Sequence, residues 1–354
     1  MTILVTGGAG FIGSNFVIDR LNKYEEKIVN IDKLTYAGNL KNLESILNHP
    51  FHIFIEDCIG NEIGVKNLLN KYKPRAIVNF AAETHVDKSI NNPKIFIDTN
   101  ISSNFTFLNC AYLYWLSLNS DARNQFRFLH ISTDEVYGAL LDTDAPFDES
   151  SQYQPNNPYS ATKASADHLI RAFHSTYGLP TLTINSSNNY GPFQFPEKLI
   201  PLMITYALSG KSLPVYGDGL QIRDWLYVED HCNAIQCVLD TGKVGQSYNI
   251  GGCSEKSNIE IVKIICSTLD ELMPNKSKSR YEKQITFVQD RQGHDRRYGV
   301  NISKAMNELG WKPKETFESG IRKTISWYLN NQVWIEDINL RFNISTAQQN
   351  NSNQ

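Results

Sequence analysis

The chain has 354 residues, 41% of them hydrophobic and 20% charged, enough for one large domain or two joined ones with a substantial core. A formal net charge of −3 argues against a general nucleic-acid binder, which needs a basic face, and leaves room for a local basic pocket at most. No apolar run reaches the ~18 residues of a membrane span, and the first strand-like run starts at Thr2, so no signal peptide is expected.

In chain order, short apolar runs rich in β-branched residues occur at TILV (2–5), KIVNID (27–32), HIFIED (52–57), AIVNFA (76–81) and RFLHIS (127–132). Amphipathic stretches such as GSNFVIDRLNK (13–23) and EIGVKNLLNKY (62–72) separate them. Strands alternating with helices predict βαβ units and a parallel sheet, with the ligand crevice at the carboxyl ends of the strands. After about residue 185 the texture changes to Pro, Gly and Tyr, with helical runs such as NIEIVKIICSTLDELM (258–273). The fold class expected is α/β: a Rossmann-type doubly wound parallel sheet with a smaller C-terminal α/β substrate lobe. Residues 1–185 form the dinucleotide domain and 186–335 mainly the lobe, with some segments returning to the first domain. Residues 336–354, ending in STAQQNNSNQ, form a polar tail.

The six cysteines (58, 110, 232, 237, 253 and 266) form no CxxC pair, and there is no HExxH. No metal site is legible, and the reduced thiols of a cytoplasmic protein are expected.

TGGAGFIG (6–13) lies between the first strand and the first helix. Gly7, Gly10 and Gly13 allow a tight turn, close approach of a pyrophosphate and close packing of helix on strand. The helix N-terminus adds donors for the phosphates. Asp32 ends the second strand about twenty residues later, where a carboxylate accepts bonds from ribose hydroxyls and repels a 2′-phosphate. That favours NAD over NADP. Asp57, ending the third strand, is a second candidate, for the adenine amino group.

FLHISTDEVYG (128–138) ends an apolar strand on two carboxylates. The strand either reaches water there or presents proton-handling groups to a cleft. If extended, the segment points Asp134 and Glu135 to opposite sides, so that they could address different atoms of one ligand. PYSATKASADHLI (158–170) starts a helix at Pro158 and places Tyr159 and Lys163 four apart, on one face. Lys163 can then lie beside the Tyr159 hydroxyl and stabilise a phenolate, which makes Tyr159 a base for a hydroxyl losing hydride. Taken alone, such a pair is usually an exposed Tyr and a solvated Lys.

These motifs, with AAETHVDKSI (81–90), NNYGPFQFPEKLIP, VYGDGLQIRDWLYVEDH, YNIGG and DRQGHDRRY, resemble the extended short-chain dehydrogenase/reductase family that modifies nucleotide sugars, and within it the 4,6-dehydratases. The resemblance runs from residue 2 to about 330. It implies a lyase that keeps its NAD, oxidises a hexose at C4, eliminates water across C5 and C6, and returns the hydride to C6. The substrate implied is dTDP-glucose, on a route to a deoxysugar such as L-rhamnose, and the implied assembly is a homodimer through helices that include the Tyr159 helix. It makes Asp134 the acid at O6, Glu135 the base at C5, and Thr133 a partner of the reacting hydroxyl beside Tyr159. Around NAD it places Phe11, Ile12, Lys33, Leu34, Thr35, Cys58, Phe80, Ala81, Ala82, Thr99 and Asn189, besides Tyr159 and Lys163. Around the sugar nucleotide it places Thr84, Asn188, Glu197, Lys198, Leu199, Pro214, Tyr216, Arg223, Asn258, Arg291 and His294. Arg223 and Arg291 suit phosphates by their planar forks, and Tyr216 suits the base by its ring. His85 reads as packing rather than catalysis. Gln292 stands where the family pattern has Pro. A UDP-sugar 4-epimerase of the same fold would need the Tyr, the Lys and a small hydroxyl residue but no paired carboxylates. A non-catalytic NAD-binding protein would have lost one of these groups.

Overall fold

The computed structural model describes residues 1–275, 278–290, 293–338 and 340. Its strands are β1 (Thr2–Thr6), β2 (Lys27–Asp32), β3 (His52–Glu56), β4 (Ala76–Asn79), β5 (Arg127–Thr133), β6 (Thr181–Ser186), β7 (Asn188–Tyr190), β8 (Leu213–Tyr216), β9 (Ile222–Tyr227), β10 (Ser247–Ile250), β11 (Glu255–Ser257) and β12 (Ile285–Val288). Seven of them pair in parallel in the order β10-β6-β5-β4-β1-β2-β3.

Alternation along the strands decides the layers. Ile3 and Val5 join one core while Leu4 joins the other, and the pairs Ile28/Val29, Val78/Ile77 and Leu129/Phe128 divide in the same way. Both faces are therefore apolar, as a parallel sheet between helices requires. Helices Phe11–Lys23 and Val228–Thr241 cover one face, and Glu62–Tyr72, Asn104–Ser117 and Pro158–Tyr177 cover the other. The strand order runs outward from β1 to β2 and β3 on one side, and to β4, β5 and β6 on the other. Such a reversal opens a crevice at the carboxyl ends of β1 and β4. This is the Rossmann-type doubly wound fold.

A second core lies after β6. Helices Leu199–Leu208, Asn258–Leu272 and Phe317–Asn330 enclose Tyr190, Trp225 and Tyr227, beside the small sheets β11-β9-β7 and β12-β8. The chain does not divide sequentially: β10 extends the large sheet next to β6, and Ile235 and Val238 of the 228–241 helix pack under it. Residues 332–338 are helical, with Trp334, Ile335 and Ile338 buried, and the Trp334 indole N–H donates to Asn42 Oδ1 at 2.8 Å. Packed structure thus continues past position 336, where the sequence suggested a polar tail, because three large apolar side chains close the second core. Residues 341–354 lie outside the described residues. Among those described, no helix is long and apolar enough to cross a membrane.

Candidate active site

A cavity of about 280 Å³ opens at the crevice. The glycine loop forms its floor. Gly7 has φ +68°, and a Cβ there would lie 2.8 Å from Ala81 N; a Cβ on Gly13 would lie 2.3 Å from Gly7 O. Backbone atoms on rigid elements cannot yield to such contacts. Gly10 caps the Phe11–Lys23 helix without a side-chain bond, so the first helical N–H groups, at Phe11 and Ile12, stay available to an anion. Gly10, Phe11 and Ile12 all line the cavity. Gly7→Ala is expected to weaken dinucleotide binding at least about tenfold, because the added methyl meets Ala81 and the positive φ disfavours any side chain. Calorimetric titration with NAD checks this, and unchanged affinity would contradict it.

Asp32 is nearly buried where β2 ends. Its Oδ2 accepts from Ala9 N at 3.0 Å and its Oδ1 from Leu34 N at 2.9 Å. Burial raises its pKa, against those two N–H bonds and Lys33. Lys33 donates to Thr99 Oγ1 at 3.2 Å, and Lys33, Thr35 and Thr99 face the cavity. Leu34, at φ +51°, turns into the core instead. Asp57 accepts from Cys58 N at 2.7 Å, and both form the wall beside Phe80, Ala81 and Ala82. Asn188 and Asn189 line the far side. Asn189 is held by His231 and the Ser187 carbonyl, while Asn188 Oδ1 is buried with no partner. Thr84, Glu197 and Lys198 close the mouth: Lys198 donates to the Thr84 carbonyl at 2.9 Å, and Glu197 accepts from Tyr36. His85 caps helix Val86–Asn91 and lies 3.4 Å from Glu197, a packing position.

Asp134 and Glu135 are neither part of an extended segment nor both in water. β5 stops at Thr133, whose Oγ1 accepts from Glu135 N at 3.3 Å, and Asp134–Tyr137 coil into one 3₁₀ turn. The hydroxyl cap ends the strand, so the expectation of side chains on opposite sides of an extended segment fails. Asp134 and Glu135 follow one another round a turn and line one cavity. Asp134 is 2% exposed with Oδ2 unpartnered, whereas Glu135 is half-buried. Burial, then Glu135 and Asp224, push the Asp134 pKa well above its usual value, with Arg223 opposing. These surroundings favour the protonated form of Asp134.

Helix Pro158–Tyr177 starts on a capping box, Asn157 with Ser160, has Pro158 in its first turn and ends at Gly178, φ +76°. A cap of this kind stabilises a helix by about 1 kcal/mol and fixes its start. Tyr159 and Lys163 are both buried on it. The phenol hydrogen-bonds Thr133; burial and Glu135 raise its pKa. Lys163 Nζ projects from the same helix, four residues after Tyr159. It donates to the Ile131 carbonyl at 2.7 Å and lies 3.4 Å from His130 Nε2, because a buried ammonium turns to the strongest acceptor in reach. Burial lowers its pKa to about 8.

The other described substrate candidates do not line this cavity. Arg223 is buried against the Tyr298 ring, 4.2 Å from its centroid, and donates to the Asp295 carbonyl at 3.0 Å, close enough to act on Asp134. Tyr216 and Pro214 lie on β8, Leu199 and Asn258 begin helices, and His294 bonds Asp290 at 2.7 Å. Pairing of β8 with β12, and Asn258 N with the Gln221 carbonyl, gathers several of these at one edge of the lobe. Arg291 and Gln292 lie outside the described residues. Sequence reading missed Asn100. Its buried amide holds both the N–H and the C=O of Glu83 and donates to Thr162 Oγ1, tying the cavity wall to the Tyr159 helix. It lies in a π-helical turn, 97–103, which no local pattern announced. Asp224, beside Asp134, was missed too; it accepts from Gly252 N and Ser254 N.

A dinucleotide-shaped crevice that ends on a Tyr–Lys helix and a buried carboxyl group defines a sugar-oxidising enzyme of the short-chain dehydrogenase/reductase class. The family model for GDP-mannose 4,6 dehydratase matches residues 4–324. The chain is 54% identical over 337 residues to dTDP-glucose 4,6-dehydratase of Xanthomonas campestris pv. campestris, covering 95% of each chain, and 53% identical over 346 residues to dTDP-glucose 4,6-dehydratase 1 of Escherichia coli, covering 96% and 95%. A crystal structure of dTDP-glucose 4,6-dehydratase from Bacillus anthracis in complex with NAD superposes with TM-score 0.85 at 46% identity, covering 96% of this chain and 99% of that one. The protein belongs to this dehydratase family, within the group of dTDP-glucose 4,6-dehydratases. A UDP-glucose 4-epimerase from Thermotoga maritima superposes at TM-score 0.82 with 26% identity over 94% of this chain and 100% of that one, so the fold alone does not separate the two chemistries.

Proposed function

We propose that the protein converts dTDP-glucose to dTDP-4-keto-6-deoxyglucose and water, with NAD as resident cofactor. The observation that carries this reading is Asp134: a buried carboxyl group with one oxygen unpartnered, next to Glu135 in the cavity and one hydroxyl away from Tyr159. An epimerase has no use for it.

The cradle fits NAD. Gly7, Gly10, Gly13 and the helix N-terminus suit the pyrophosphate, Asp32 the ribose hydroxyls, and Phe80 to Ala82 with Thr99 the wall beyond. NAD supplies the hydride acceptor and, once reduced, the donor. Tyr159 takes the proton from O4 as C4 is oxidised, with the Lys163 cation one helical turn away in support. The C4 ketone makes C5–H acidic. Glu135 removes that proton, Asp134 protonates O6, and water leaves. Glu135 then returns a proton to C5 as C6 is reduced. Thr133 bonds both Tyr159 and Asp134, so it lies between the group that gains a proton in each turnover and the group that loses one.

We assign the cofactor to residues 1–185 and the nucleotide end of the substrate mainly to 186–335, with β10 and the 228–241 helix returning to the first domain. Arg223, Tyr216, Asn258, His294 and Arg291 are our candidates for that end. Exposed Ile90, Ile95, Ile97, Phe105, Leu113 and Leu116, on helices flanking the Tyr159 helix, support a homodimer through this face. The free thiols suit a cytoplasmic location. The test is incubation with C4-deuterated dTDP-glucose and no added NAD. Loss of one water with deuterium in the C6 methyl group supports the reading, and a product without label there refutes it.

A further inference from the structure

Tyr159, Lys163 and Asp167 succeed one another at intervals of four along the Pro158–Tyr177 helix, so three chemically active side chains share one face. The mechanism above uses two. The third is as buried as they are, at 5% exposure, and His130 of β5 is buried between it and Lys163. His130 Nε2 lies 3.4 Å from Lys163 Nζ and 3.4 Å from Asp167 Oδ1.

The orientation of the imidazole is fixed from behind. Thr6 donates to Asn79 Oδ1 at 2.6 Å. The Asn79 amide then gives one hydrogen to Asn104 Oδ1 at 2.8 Å and the other to His130 Nδ1 at 3.1 Å. Assigned from this network, Nδ1 accepts and the ring hydrogen sits on Nε2, the nitrogen that lies 3.4 Å from Asp167 Oδ1. On its other oxygen, Asp167 accepts from Ser132 Oγ at 2.7 Å, Tyr153 OH at 3.2 Å and Asn185 Nδ2 at 3.2 Å. Three donors converging on one oxygen suit an anion.

We propose that Asp167, with His130 packed between it and the ammonium, is the buried counter-charge of Lys163, holding its ammonium charged and in place beneath Tyr159. Asp167 is then a positioning residue, acting through Lys163 and touching no substrate atom. The proposal rests on the reading of Tyr159 and Lys163 given above. An ammonium sealed from water needs a nearby anion to remain charged, and a neutral amine would not stabilise a phenolate. Burial draws Lys163 down to about 8, and Asp167 is the charge that opposes this. The groups facing this centre are His130 and Ser132 from β5, Asn79 from β4, Asn104 from the 104–117 helix, Asn185 from β6, Tyr137 and Tyr153 from the segment before the helix, and Tyr159 on it. Asp134 and Glu135 act on Tyr159 from the 3₁₀ turn. Asp167 also raises the Tyr159 pKa directly, but as the smallest of the influences on it, so its removal acts mainly through Lys163.

The sign is then fixed. Asp167→Asn lowers the Lys163 pKa further, and the alkaline limb of the rate profile moves toward lower pH. The experiment compares pH profiles of kcat and KM for NAD-loaded wild type, Asp167→Asn, Asp167→Glu and His130→Gln. In Asp167→Asn the alkaline limb is expected to move down by roughly one unit, which lowers kcat about fivefold at pH 8, with KM within about twofold and a much smaller loss well below pH 8. Asp167→Glu restores part of the shift. A profile of unchanged shape, merely scaled down, overturns the proposal. If Asp167→Asn does not fold, His130→Gln provides the same test: a limb displaced in the same direction supports the proposal, and an unmoved limb overturns it. A wild type that does not dehydrate dTDP-glucose would instead overturn the functional reading.

Discussion

Glu135→Gln is expected to lower water release from dTDP-glucose by a factor of about 10² to 10⁴, the usual worth of a positioned general base. The fold should tolerate it. Glu135 is half-buried, Gln has the same shape, and the bond that shapes the turn runs from the Glu135 backbone N–H to Thr133. The ability to accept the C5 proton is lost, together with the charge that raises the Asp134 and Tyr159 pKa values. Oxidation at C4 depends on Tyr159 and Lys163, which the substitution leaves in place. Turnover in deuterated water separates the two steps. Wild type should incorporate solvent deuterium at C5 of the product, whereas the variant should show neither that exchange nor the methyl group, with an unchanged melting temperature. Tyr159→Phe, in contrast, should stop the reaction before any exchange at C5. A Gln variant that forms product at the wild-type rate would remove Glu135 from the chemistry.

The parts of the fold that show in the sequence are those fixed by local pattern. The five apolar runs of the first half became β1 to β5 because both faces of each strand had to be buried, and Pro158 marked a helix start because Asn157 and Ser160 could cap it. The glycine loop and Asp32 were legible because their spacing is dictated by one strand, one turn and one helix. What stayed hidden depends on which elements meet. Whether Asp134 was buried could not be read from TDE, since its surroundings come from Arg223 and Asp224, about ninety residues further on. The 3₁₀ turn was equally silent, because Thr133 could have continued the strand as readily as capped it. Lys163 was placed on the correct helix face, yet its nitrogen went to a carbonyl of β5, a partner supplied by sheet packing. His130 read as one more strand residue, and Asp167 as one more helical carboxylate. Only the packing of the helix on β5 joins them.

Asp134→Asn should cost activity and add stability. Burial and the charges of Glu135 and Asp224 raise the Asp134 pKa well above 3.8, so the fold favours its protonated form. In the unfolded chain the group is ionised above about pH 4. The folded state thus binds a proton that the unfolded state does not, and its stability falls as pH rises from the unfolded value toward the folded one. Asparagine has the shape of the neutral acid and no charge to lose, so the variant escapes that penalty. Its melting temperature should exceed that of wild type near neutral pH, and the two should converge in acid, where both chains are neutral at this position. Activity should move the opposite way. An amide keeps a hydrogen-bond donor near O6 but cannot deliver a proton, so dehydration should fall by about 10² to 10⁴. A buried acid retained at the expense of stability is the signature of a group kept for chemistry. Melting curves across the acid-to-neutral range, set beside rates of water loss, decide the matter. A variant less stable than wild type at neutral pH would show that Asp134 is ionised in the fold, and the acid would then have to be sought elsewhere in the cavity.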